Sequence, residues 1–116
     1  MRLTREWLPN PEDGAAVCLG FDGSENNDWT ALQGETRDGV TFTPCYGPDR
    51  RPAIWNPAEW GGQIPRGEVA AAVDEMFVRF KVARMYCDPH DWYSEIGEWA
   101  LKYGEEHVFE WNTSRV

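Results

Sequence analysis

The sequence predicts an α/β chain. The expected architecture is a mixed five-stranded sheet flanked by helices, with a three-strand antiparallel meander followed by helix, strand, helix and strand. Three observations carry this expectation. Residues 15–22, "AAVCLGFD", form an almost continuous apolar run of strand length, as a strand covered on both faces requires. Two later segments, starting near residues 66 and 89, repeat apolar residues at helical spacing. Strand-like runs, "KVARMYCD" and "HVFEWNT", follow each of them. With 116 residues, of which 41% are hydrophobic and 14% aromatic, there is apolar material for one modest core.

In chain order, residues 1–14 carry two prolines and an Asp-Gly pair and read as a lead-in or linker, pinned by Trp7 and Leu8. The domain proper is expected over 15–116. After the first strand, "GSENND" reverses the chain into a second strand, "WTALQGETRDG". Asp38-Gly39 then turns it into a third, "VTFTPCYGP", with Val40, Phe42 and Tyr46. Prolines at 52, 57 and 65 and the pair Gly61-Gly62 make residues 49–65 a long ordered loop anchored by Trp55 and Trp60. Val69, Val73, Met76, Phe77 and Phe80 share one side of a helix that starts near Arg66. Trp92, Ile96, Trp99 and Tyr103 share a face of a second helix, which Gly104 terminates.

A formal net charge of -9 excludes a module that holds nucleic acid through a broad basic face. It is compatible with carboxylates that need divalent cations before they approach phosphate. Cys18, Cys45 and Cys87 are odd in number and widely spaced, so free buried thiols are expected rather than a disulfide framework or zinc knuckle. No apolar run reaches the roughly 20 residues of a membrane span, and the opening residues lack a secretory signal. A cytoplasmic protein without a membrane partner is the expectation.

The strand directions connect this fold to chemistry. A crossover through the first helix returns the fourth strand parallel to a meander strand. If that neighbour is the first strand, Asp22 and Asp88 emerge together at the carboxyl ends, where open α/β sheets place their ligands. Each has a simpler role beside this one. Asp88 before Pro89 suits a helix N-cap, and Asp22 before Gly23 suits a turn. Asp91 fits the third position of the second helix, and a lone His90 there needs no special function.

Three stretches, "VCLGFDGSENNDWTALQG", "WNPAEWGGQIPRGEV" and "MYCDPHDWYSEIGEWALKYG", resemble the nuclease portion of large terminase subunits from tailed phages of actinobacteria. The resemblance implies a ribonuclease H-like fold whose first and fourth strands are neighbours. It also implies metal-dependent cleavage of double-stranded DNA in the bacterial host cytoplasm. Asp22 corresponds to that family's first metal-binding acid and Asp88 to its second, with Asp28 a further acid at the same edge or a solvated turn residue. Mg²⁺ or Mn²⁺ would be the cofactor, serving two-metal hydrolysis without a protein nucleophile. Ser24 then belongs to the loop rather than to a catalytic triad. Arg50 and Arg51 are candidate phosphate contacts or solvated loop residues.

Two departures qualify the resemblance. The sequence has no "GxxxxGK" phosphate loop, so the packaging motor is expected in a separate domain. The family's third acid lies beyond the last strand, so the domain is expected to lack its C-terminal part and the isolated chain to be weak or inactive. Expected partners are double-stranded DNA, the motor domain, and the portal or small terminase subunit. Two alternatives stay open. One is a noncatalytic module docking packaging components through exposed Trp55 and Trp60. The other is a different ribonuclease H-like nuclease, such as a resolvase.

Overall fold

A computed structural model describes residues 10–24 and 28–110. Trp7, Leu8 and the stretch 111–113, expected to pin the lead-in and to extend the last strand, lie outside the described residues. The first long strand, β1 (Ala16–Asp22), pairs antiparallel with β2 (Thr30–Thr36), which pairs antiparallel with β3 (Thr41–Phe42). The expected tight turn is present: Gly39 donates to the Thr36 carbonyl with φ of 86°, and Thr36 N–H returns to the Val40 carbonyl. That is a three-residue hairpin loop with its left-handed position filled by glycine.

The expected third strand is cut short. Pro44 has no N–H to give to a ladder, so the chain leaves the sheet after Phe42. Cys45–Tyr46 (β4) pairs instead with Arg51–Pro52 (β5) in a separate two-stranded ribbon. The long loop is not strandless either. Ile54–Trp55 (β6) returns to β2, with Thr30 opposite Trp55, and a 3-10 turn follows at Pro57–Trp60. The main sheet therefore has six strands rather than five, in the order β3-β2-β1-β7-β8, because β6 shares the edge of β2 with β3.

Helix α1 (Arg66–Arg79) leads to β7 (Lys81–Asp88), which runs parallel to β1. Helix α2 (Tyr93–Tyr103) leads to β8 (Val108–Glu110), parallel to β7. Both helices cover the same sheet face. Val17, Leu19 and Phe21 of β1 form one core cluster with Val69, Ala72, Val73 and Met76 of α1 and with Ile96 and Trp99 of α2. Phe21 takes edge contacts from Trp92 and Trp99 at 5.0 and 5.3 Å. On alternate positions, Cys18, Gly20 and Asp22 of β1 face away from the helices, onto the side that neither helix covers.

Helix α1 starts at Arg66 as expected, and Gly104 ends α2 in the left-handed half of φ space at 107°. Phe77 stacks on Tyr103 at 3.9 Å, and Asp74 accepts from Tyr103 and Lys102, so α1 and α2 are joined along their exposed side. The start of α2 is a correction. It begins at Tyr93, and Asp88 is not its N-cap. Asp91 precedes the helix with φ of 66° and does not occupy its third position. Residues 10–14 are hydrogen-bonded to the body. The Asn10 amide both donates to the Cys45 carbonyl and accepts from its N–H, and Gly14 N–H donates to the Arg79 carbonyl. No disulfide forms; Cys45 and Cys87 are buried and Cys18 is half-buried. No helix among the described residues is long and apolar enough to cross a membrane.

Candidate metal centre

Both aspartates end their strands for reasons legible in the neighbouring residues. Pro89 cannot donate to the β7 ladder and holds the residue before it extended, so pairing stops at Asp88. After Asp22 the strand ends at Gly23, where a side chain would collide with the core. A Cβ on Gly23 would stand 2.6 Å from Trp92 Cδ1 and 2.7 Å from the Phe21 ring. The parallel register sets Asp22 directly opposite Asp88 at the carboxyl ends of β1 and β7. Neighbouring strands lie about 4.8 Å apart, so the two acids stand side by side, close enough for the charge of Asp88 to act on Asp22. They share the face that neither helix covers, where both line a trough of about 620 Å³ floored by Cys18 and Gly20 and walled by Gln33, Glu35 and Tyr86.

The electrostatics record the crowding. The Asp22 pKa is raised above its ordinary 3.8, first by partial burial, then by the negative charge of Asp88 and that of Asp28. A group whose folded pKa is raised binds its proton more tightly in the folded state. Its ionised form therefore destabilises the fold above the raised pKa, and the penalty disappears below 3.8, where the group is protonated folded or unfolded. Asp22→Asn is accordingly expected to stabilise the chain at pH 7 by about 0.5 kcal/mol, a figure kept small by solvent screening. The gain should vanish at pH 3, and urea midpoints at the two pH values check it.

The other predicted residues separate into two groups. Asp28 is exposed and its carboxylate accepts the Trp29 N–H at 2.8 Å, the turn role, while its charge still reaches Asp22. Among the described residues no three Asp, Glu, His or Cys side chains converge as a metal-holding group, and the acids that the register brings together here are two, Asp22 and Asp88. Two carboxylates suit a hard divalent cation that keeps much of its water, as Mg²⁺ does. Asp88 also caps locally, accepting the His90 N–H at 3.2 Å, and His90 Nε2 lies 3.4 Å from the Asp91 carboxylate at the surface. Arg50 and Arg51 belong to a different place. Arg51 lies over Trp60 at 5.3 Å and lines a second cavity with Tyr46, Asp49 and Glu68, and Arg50 is exposed with φ of 54°. Trp55 is 1% exposed and Trp60 half-buried, so Trp55 offers no docking surface.

Sequence reasoning missed Trp92, Thr30 and Gly23, which shape the ground beneath the acids. Trp92 is fully buried and its indole N–H donates to the Ser24 carbonyl at 2.8 Å. Thr30 Oγ1 donates to that carbonyl at 3.3 Å and accepts the Ser24 N–H at 2.9 Å. Gly23 needs to be glycine because of the indole beside it, not because of its own φ, and no local pattern announces that.

No family model and no solved structure matches the chain. It is 37% identical over 91 residues to the Gene 13 protein of Mycobacterium phage D29, covering 78% of this chain and 14% of that protein. It is 35% identical over 100 residues to the Gene 13 protein of Mycobacterium phage L5, covering 85% of this chain and 15% of that protein. The chain thus spans 15% or less of the length of these two phage relatives and is similar to one stretch of each.

Proposed function

We propose that the chain is a ribonuclease H-like nuclease portion of a phage DNA-packaging terminase large subunit, cleaving double-stranded DNA with Mg²⁺ or Mn²⁺. The observation that supports this reading above any other is the register pairing of Asp22 with Asp88 at the open end of two parallel strands. The relatives add that such a stretch occurs within much longer phage proteins. The motor domain, the portal and the small subunit remain partners of that larger assembly in this reading. Asp22 and Asp88 would hold the cation, and the trough on the face that neither helix covers gives a phosphodiester access to it from one side. When bound, the metal supplies charge neutralisation at phosphoryl oxygens and acidifies the attacking water. No side-chain nucleophile is needed.

With two acids the isolated chain is expected to bind Mn²⁺ and to cut slowly. The test measures Mn²⁺ binding by the loss of free-ion EPR signal, then nicking of supercoiled plasmid with Mn²⁺, Mg²⁺ or EDTA. Binding by the wild type that disappears in Asp88→Asn supports the proposal. Equal binding by both proteins, or none by the wild type, overturns it. A panel of duplex, branched and hybrid substrates separates the terminase reading from a resolvase: preference for branched DNA would favour the latter.

A further inference from the structure

The two acids are carried by strand ends, but the segments that follow them touch each other through one side chain. Trp92, at the N-cap of α2, closes the turn 89–92 with its own N–H on the Pro89 carbonyl. Its indole N–H crosses to the Ser24 carbonyl beyond β1. Its ring leaves room only for glycine at position 23 and meets the Phe21 ring at 5.0 Å. From the far side, the Arg66 guanidinium lies over the same ring at 4.1 Å. Arg66 also bonds the Asp91 carbonyl at 3.0 Å and Glu95 at 2.9 Å. The first residue of α1, the turn after β7 and the loop after β1 are thereby held around one indole.

We propose that Trp92 is a positioning residue, which locks the loop after Asp22 to the turn after Asp88 and so fixes how far apart the two carboxylates stand. Backbone pairing alone does not do this, because both acids are the last paired residues of their strands, where ladders fray. The lock's consequence for cation binding rests on the function proposed above; the lock itself does not. Groups that orient ligands without touching the metal typically change affinity by about 10-fold to 100-fold when removed.

Trp92→Phe keeps a buried ring and deletes the bond to Ser24. Arg66→Gln, at a partly exposed site, withdraws the cation and leaves the core intact. Amide hydrogen exchange and Mn²⁺ affinity are measured on both variants and on the wild type. Expected in Trp92→Phe is faster exchange confined to Ser24 and His90, with Leu19 and Phe21 as protected as before, and Mn²⁺ affinity lower by about 10-fold. Arg66→Gln should shift both in the same direction by less. Exchange rising evenly along β1 and β7 would show a purely structural tryptophan and overturn the proposal, as would unchanged exchange at Ser24 and His90. Local loosening with unchanged Mn²⁺ affinity would overturn the positioning role. If the wild type binds no Mn²⁺, the metal reading falls while the exchange pattern still decides whether the lock exists.

Discussion

Trp55→Ala is expected to cost about 3–5 kcal/mol, the range for emptying a large aromatic site in a core. That is a substantial part of the 5–15 kcal/mol a domain usually has. The residue sits where the irregular segment from β4 to the 3-10 turn is fastened to the rest. It is 1% exposed, pairs with Thr30 of β2, and its indole N–H donates to the Tyr46 hydroxyl at 2.9 Å. That hydroxyl in turn donates to Glu68 of α1 at 2.9 Å. Burial pushes the Tyr46 pKa up to about 12, so the hydroxyl keeps the proton it gives to Glu68 well above neutral pH. Trp55→Phe retains most of the packing and leaves that hydroxyl without its donor, a loss nearer 1 kcal/mol. Urea unfolding of the two variants measures both. A loss below about 1 kcal/mol for Trp55→Ala would mean that the segment is not fastened through this ring. The effect reaches the acids too, since Thr30, opposite Trp55, is the residue that grips Ser24.

The contrast between Trp55 and Asp22 shows which parts of this molecule a linear reading reaches. The strand before Asp22 announces itself by unbroken apolarity, and both helices by residues recurring over many turns. Long elements repeat their signal. Their crossover connection returns β7 parallel to one of the meander strands without saying which. That the neighbour is β1, and so that Asp22 meets Asp88, is what the resemblance implied and the register shows. Strands β3 to β6 have two residues each, too short for any period to show. Pro44 reads as part of the third strand and Pro52 as loop, although Cys45–Tyr46 pairs with Arg51–Pro52 and Ile54–Trp55 returns to β2. Asp88 before Pro89 looked like a helix cap, yet α2 starts four residues later than that cap would require, after a turn closed by Trp92 and Pro89. Trp92 itself was placed correctly on the core face. Its second task depends on a carbonyl far away in the sequence, and a hydrogen bond of that kind has no sequence period at all.

Asp22→Asn and Asp88→Asn should each weaken Mn²⁺ binding by more than about 100-fold, while the double variant should lose little beyond either single one. Near a protein surface, unit charges 4 Å apart interact by about 4 kcal/mol, and a tenfold change in affinity needs only about 1.4. Removing one carboxylate of two is therefore decisive. If one cation is shared, the second removal acts on a site already lost, and the double-mutant cycle shows strong coupling. Independent surface acids would instead give additive, small losses. The same substitution at Asp22 has the opposite sign on the fold, because it removes a charge whose partial burial, and then whose repulsion from Asp88 and Asp28, hold the Asp22 pKa up. A turn residue predicts no such division: replacing it would leave metal binding alone, whatever it did to stability. A variant that folds more tightly and binds far more weakly marks a pair of charges kept together at a cost to stability for the sake of a ligand.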